Sequence, residues 1–446
     1  MNLKLQKSLA PILMVFILMT TLFIYPGTIL VKAETNIELN AESAILVDAD
    51  TGKILYAKNA DMALPPASMT KIMTEYLVWE AIEAGDISWE GTTQISDYAY
   101  SISANTSFSG IGLRKDVDYT VRSLYEAMAI NSDNATTIAL AELIAGSEGE
   151  FVKMMNAKAE EMNLPEFQFV NSTGLENSSL GDDYPEGTDP NGINLLSAES
   201  TALLAYQLIN DYPEALEISS IPETEFDGKE IRNWNWMLEH EASFLQPFYY
   251  EGMEGLKTGY TDEAGYCFTG AATRDGKRLI SVVMKTNDES ERFVETAKLL
   301  DYGFENFETK ELFPAGFENP EDSVVPVAKG KEKNVTLALE AGFTAPILNE
   351  EEELYKVVYH IDSDKLNKDG ELTAPVKQGE KVGTAELVYE GENDHGFLHN
   401  AGTSTVDLVT TSEIEKKNWF MIALESIGSF FAGLFTTIVD TVKGWF

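Results

Sequence analysis

Pro65-Pro66-Ala67-Ser68-Met69-Thr70-Lys71-Ile72-Met73 is the stretch on which the reading of this 446-residue chain turns. Proline is tolerated just before and at a helix start. From there Met69, Ile72, Met73, Tyr76 and Leu77 form a helical apolar stripe. The pattern therefore puts Ser68 at a helix N-terminus. Lys71 follows three residues later, so its amine can lie beside the Ser68 hydroxyl. A serine hydroxyl is a poor nucleophile until a base takes its proton, and a neutral lysine amine can do so. The helix N-terminus also favours negative charge developing nearby. Serine and lysine three apart recur by chance, so the rest of the chain must decide.

Two further short motifs follow. Ser132-Asp133-Asn134 closes an apolar helical run from Leu124 to Ile130. Ser132 can relay a proton between Lys71 and a leaving group, and Asn134 offers an amide to substrate and to Lys71. A plain helix cap is the other reading of this tripeptide. Lys257-Thr258-Gly259 lies in Glu254-Gly255-Leu256-Lys257-Thr258-Gly259-Tyr260. Its Lys and Thr can bind a substrate carboxylate, and its Gly leaves room for a substrate backbone beside a strand. Alone, it also reads as an ordinary turn.

The conjunction carries the case. The three motifs occur in the order and rough spacing of the serine penicillin-recognising enzymes. Asp48-Ala49-Asp50-Thr51-Gly52, Asn171-Ser172-Thr173-Gly174-Leu175, and Lys257 to Thr261 followed by Ala264-Gly265-Tyr266 add to it. The chain resembles the low-molecular-mass D-alanyl-D-alanine carboxypeptidases. The resemblance implies an α+β, serine β-lactamase/DD-peptidase-like catalytic domain. It implies acyl transfer through Ser68, with Lys71 as base and Ser132 as relay. The resemblance further implies that Lys257 lowers the affinity of Lys71 for its proton, and that Lys257 and Thr258 hold the terminal carboxylate. It implies, too, an oxyanion hole formed by the backbone N–H groups of Ser68 and Tyr260. The expected partners are the peptidoglycan stem pentapeptide and β-lactam antibiotics, with no metal and no organic cofactor.

Two rivals remain open. A class A β-lactamase carries a glutamate that activates the deacylating water. In Glu166-Phe167-Gln168-Phe169-Val170-Asn171 the Glu and Asn stand one residue too far apart for that pattern. The other rival is a non-catalytic wall-binding protein, against which intact Ser68, Lys71 and Lys257 argue. A Ser-His-Asp triad has only His240 to draw on in this part of the chain, without a nucleophile-elbow motif.

Outward from the motifs, Ser43 to Tyr56 reads as a hairpin around an Asp/Gly turn. Helical patterns run from Ser68 to Asp211. Tyr266–Ala272 and Leu279–Met284 read as a second hairpin, and a helix near Arg292–Tyr302 follows. These make one α+β domain with a mainly antiparallel sheet, residues 34–312. Residues 313–411 hold short β-prone runs between Gly and acidic clusters and read as a small all-β domain. In 412–446, Phe420, Leu424, Ile427, Phe431, Leu434, Ile438, Val442 and Trp445 share one helix face. The expectation is an amphipathic helix lying in the outer face of the cytoplasmic membrane, with its aromatic residues at the interface. A helix spanning the membrane is the alternative, with Glu425 then costly. Lys4 and Lys7, the apolar run Leu9–Leu30 and Val31-Lys32-Ala33 read as a secretory signal, residues 1–33.

Composition narrows the field further. The formal charge is −41, which argues against a nucleic-acid partner. The lone cysteine, Cys267, excludes an intramolecular disulfide and sits in an apolar strand-like run, as a buried structural thiol does. The four histidines are scattered and show no zinc-ligand spacing.

Overall fold

The computed structural model describes residues 37–349, 351–391, 394–398 and 405–421. The expected signal, 1–33, and most of the expected terminal helix lie outside the described residues.

The chain enters as a hairpin of strands β1 (Ser43–Asp48) and β2 (Ile54–Lys58). Asp48 Oδ1 shapes the turn, accepting from the Thr51 N–H at 2.9 Å and its hydroxyl at 2.7 Å. Helices follow: α1 (Lys71–Ala84), α2 (Asp97–Ala104), α3 (Val121–Asn131), α4 (Asn134–Ala145), α5 (Glu148–Glu161), α6 (Ala198–Asp211) and α7 (Glu214–Ser219). Ser96, Thr120, Asp133, Ser147 and Ser197 each cap a helix start by accepting a backbone N–H. The chain then returns as β3 (Met253–Thr261), β4 (Gly265–Arg274) and β5 (Lys277–Thr286), and helix α8 (Glu291–Asn306) follows. Asp275 and Gly276 both have positive φ, the two-residue turn that matches strand twist and closes β4 onto β5.

The sheet order is β2-β1-β5-β4-β3, antiparallel throughout. Alternation sorts its side chains between two faces. Ile45, Val47, Ile280 and Val282 join a core with Leu203, Leu204 and Leu208 of α6. Leu46 and Leu279 point the other way, against Gly303 of α8. The sheet is thus covered by helices on both faces. A second core lies among α2, α3 and α4. Cys267 is fully buried in β4, and burial pushes its thiol up to about 11, so it is an inert packing group. The expected α+β catalytic architecture and all-β second domain are what the fold contains.

Strand β6 (Phe307–Phe313) leaves α8 directly and pairs with β9 (Phe343–Leu348). Between them come β7 (Val324–Ala328) and β8 (Asn334–Leu339). After them come β10 (Tyr355–Ile361), β11 (Leu372–Thr373), β12 (Lys381–Tyr389) and β13 (Thr405–Thr410). A six-stranded sheet runs β10-β12-β13-β8-β7-β11. The boundary expected at 313 falls at the end of β6. The run Phe307-Glu-Thr-Lys-Glu-Leu-Phe313 looks like charged surface, because β6 pairs in a two-stranded sheet and shows one side to water. At the other end, Ile414 bridges Val376 and Lys416 bridges Gly330. The helix expected from 412 therefore cannot begin there, because backbone pairing holds those residues in the β domain. Helical geometry begins at Trp419, and Trp419, Phe420 and Met421 are exposed. No helix among the described residues is long and apolar enough to cross a membrane.

The β domain also reaches back to the first hairpin. Lys53 Nζ meets Asp394 at 2.6 Å, the Leu398 N–H donates to Gly52 O, and Leu398 is buried in the catalytic core.

Candidate active site

The turn bearing Ser68 is a 3-10 helix, Ala67–Thr70, that leads into α1. Pro66 precedes it, and no side chain caps it, so Ser68 does not spend its hydroxyl as a helix cap. That differs from a simple helix N-terminus, and it leaves the hydroxyl available. Lys71 opens α1 and is fully buried. Its amine donates to Ser68 Oγ at 3.0 Å, Asn134 Oδ1 at 2.8 Å and Thr173 O at 2.9 Å. Burial, and then the charge of Lys257, hold this amine well below the usual lysine range.

Ser132 and Asp133 join α3 to α4. Ser132 terminates α3 in the left-handed region, φ 61°, uncommon for a residue other than glycine. Its hydroxyl is buried and makes no hydrogen bond to a described residue. Asp133 locks the bend: Oδ1 caps α4 at Thr136 N, 2.7 Å, and Oδ2 accepts from Ile111 N, 2.7 Å. The cap reading of this motif is therefore right for Asp133, and it leaves Ser132 and Asn134 aimed at the cleft. Asn134 Nδ2 donates to Ser109 O at 3.1 Å, which orients its carbonyl toward Lys71.

Lys257, Thr258 and Gly259 lie within edge strand β3, not in a turn. Lys257 is buried, and the only hydrogen bond of its amine to a described residue is a long 3.5 Å contact to Thr258 O. Burial pulls its amine down to about 8; Glu75 works against that fall and Arg292 adds to it. A Cβ on Gly259 would stand 2.4 Å from Pro66 O. The space left by this glycine is thus filled by the chain's own Ser68 turn, where sequence suggested a substrate backbone. Gly259→Ala is expected to push β3 off that turn and lower penicillin acylation about 10²-fold, the effect of a misplacement of about 1 Å. Wild-type acylation kinetics in this variant would show that the strand has slack.

These residues meet in one cleft of about 320 Å³. Ser68, Ser132, Asn134, Thr258, Gly259 and Tyr260 line it, and Lys71 and Lys257 lie buried beneath. Tyr260 stacks on Tyr266 at 4.3 Å. Sequence reasoning missed Arg292 and Trp234. Arg292 is buried, donates to Gly259 O at 3.2 Å and to Glu289 at 3.2 Å, and leaves its Nε unpaired among the described residues. A signal existed: Arg292 falls on the buried face of α8 with Phe293, Thr296 and Leu299. Trp234 donates from Nε1 to Asn131 O at 2.9 Å, bracing the end of α3 beside Ser132. Glu289 is the single carboxylate among the described residues lining the cleft. Glu166 is exposed and elsewhere, so the glutamate of the β-lactamase pattern has no counterpart in it. Among the described residues no cluster could hold a metal ion.

A serine bonded to a buried lysine, on a helix packed against an antiparallel sheet whose edge strand carries Lys-Thr-Gly, defines a serine penicillin-recognising hydrolase. Residues 30–288 match the family described as D-alanyl-D-alanine carboxypeptidase, and residues 307–416 match the C-terminal domain of penicillin-binding protein 5. The chain belongs to the serine-type D-alanyl-D-alanine carboxypeptidase family. It is 34% identical over 367 residues to the D-alanyl-D-alanine carboxypeptidase DacF of Bacillus subtilis, covering 81% of this chain and 85% of that one. Its fold is similar to a peptidoglycan synthesis regulatory factor from Streptococcus pneumoniae, with TM-score 0.67 and 34% identity over 85% of this chain and 100% of that one. It is also similar to a Listeria monocytogenes penicillin-binding protein solved in its cefotaxime-bound form, with TM-score 0.52 and 32% identity over 60% and 99% of the two chains.

Proposed function

We propose that the enzyme removes the terminal D-alanine of peptidoglycan stem peptides through an acyl-enzyme on Ser68, and that penicillins acylate the same oxygen. The observation that carries this reading is the 3.0 Å bond between Ser68 Oγ and a buried Lys71 amine whose proton affinity is depressed. Ser68 Oγ attacks the carbonyl carbon of the penultimate D-alanine while Lys71 takes its proton. The backbone N–H groups of Ser68 and Tyr260 receive the developing oxyanion. The C–N bond then breaks, and the proton passes through the unpaired Ser132 hydroxyl to the departing amine. Lys257, Thr258 and Arg292 supply cationic and hydroxyl groups for the terminal carboxylate. Water cleaves the ester and restores Ser68.

The cefotaxime-bound Listeria relative supports the β-lactam reading. The test is to incubate purified protein with a fluorescent penicillin and with a D-Ala-D-Ala peptide. Covalent labelling and D-alanine release are expected. Rapid turnover of a chromogenic cephalosporin without D-alanine release would favour a β-lactamase.

The domain plan extends the proposal. Residues 1–33 are a secretory signal, 34–306 the catalytic domain, 307–416 the β domain, which takes in β6 and the bridged Ile414 and Lys416, and the segment past it a membrane anchor. Peptidoglycan lies just outside the membrane, so an enzyme held there is close to its substrate. The exposed Trp419, Phe420 and Met421, immediately past the last bridge of the β domain, support an apolar segment that needs another surface. A chain ending at Lys417 is expected to remain soluble and active, and the mature full-length chain to sediment with lipid vesicles. Equal partitioning of the two forms would sink the anchor.

A further inference from the structure

Beneath the cleft lies a buried carboxylate that the mechanism above does not use. Glu75 stands one helical turn past Lys71 on α1 and is almost fully buried. Its Oε2 accepts from the Tyr125 hydroxyl at 3.1 Å, and Tyr125 in turn accepts from Trp79 Nε1 at 2.8 Å. Helix α1 packs against β3, the strand that carries Lys257. Among the described residues the Lys257 amine has only its long contact to Thr258 O. An ammonium buried this way is costly without a counter-charge.

The other carboxylates near the pair are committed elsewhere. Asp133 is held by the N–H groups of Thr136 and Ile111. Glu148 accepts from Ser172 N, Ser172 Oγ and the Tyr98 hydroxyl. Both act on Lys71. The charges that bear on Lys257 are Glu75, which favours its proton, and Arg292 from α8, which opposes it. Burial raises the Glu75 carboxyl to about 7, while Lys257, Tyr125 and Lys71 pull it back down.

We infer that Glu75 is the buried counter-charge of the lysine pair: it keeps the proton on Lys257, so that the cleft holds one cationic amine for a carboxylate and one neutral amine for Ser68. Glu75 touches no substrate and is a positioning residue. The inference rests on the roles proposed above for Lys71 and Lys257.

The experiment follows penicillin acylation by the full chain from pH 5 to pH 10. Acylation rises as Lys71 loses its proton and falls as Lys257 loses its own. A carboxylate raises the pKa of a nearby amine, so Glu75→Gln should lower both. Both limbs are expected to move toward acid, by on the order of one pH unit. Tyr125→Phe, which keeps the carboxylate but removes a hydrogen bond that favours its charge, should move them less in the same direction. A uniform loss of rate with both limbs in place would make Glu75 merely structural and overturn the inference. If Glu75→Gln fails to fold, fixed limbs in Tyr125→Phe overturn it equally. Wild-type acylation by Lys257→Gln would instead overturn the role of Lys257, and the inference with it.

Discussion

Ser68→Ala is expected to abolish covalent penicillin labelling and to lower D-alanine release by roughly 10⁴-fold or more, as the loss of a nucleophile does in other serine hydrolases. The fold should survive. Ser68 is half-buried, its hydroxyl caps nothing, and the hydrogen bond it loses is the one from Lys71. A bond to a charged group contributes about 1.5–3 kcal/mol, and less where the amine is already neutral. Labelling at the wild-type level, read on a gel with a fluorescent penicillin, would remove Ser68 from the nucleophile's role. Loss of labelling with an unchanged unfolding midpoint would establish that the effect is chemical.

Lys71→Met should slow acylation by about 10²–10⁴-fold, the usual contribution of a general base, and should erase the rising acid limb of the pH profile. Stability offers an independent reading with a definite sign. The folded pKa of Lys71 lies below its ordinary 10.5, so between those two values the unfolded chain binds more protons than the native one. Stability therefore increases with pH across that window. Below it, the amine is protonated in both states and the native state bears the full cost of a desolvated ammonium. Lys71→Met lacks this dependence but leaves Asn134 Oδ1 and Thr173 O without their donor, at about 1–3 kcal/mol for each unsatisfied group. Wild type minus variant, measured by denaturant unfolding, should move in favour of wild type from neutral pH toward 10.5. Parallel curves would mean that Lys71 keeps an ordinary proton affinity in the fold.

Local chemistry makes much of this molecule legible from the chain alone. Ser68 and Lys71 stand three residues apart on one turn, so helical geometry alone brings them to 3.0 Å. The hairpin at Asp275-Gly276 follows from two residues that tolerate positive φ. Cys267 reads as buried because its neighbours are apolar. The motifs also carried the class of chemistry, since few residue sets can activate a serine without a histidine. Other features were hidden by context. Strand β6 is written in Glu, Thr and Lys because one side of it faces water, and its pairing partner β9 lies some thirty residues on. Ile414 and Lys416 look like the start of a helix, yet bridges to Val376 and Gly330 hold them in the β domain.

The nucleophile candidate, the lysine beside it and the α+β order of elements are written in the chain, because each depends on residues within a turn or two of one another. The state of those groups depends on residues that folding brings from elsewhere in the chain. Lys71 donates to a carbonyl 102 positions away, and Pro66 occupies the gap beside Gly259. Trp234 braces the end of α3 from more than a hundred residues away. Lys257 comes from a strand, and Glu75 and Arg292, whose charges bear on its proton, come from two helices. Proton affinity depends on burial and on the charges within a few ångströms. Those neighbours are chosen by packing, and no local pattern in the chain records them.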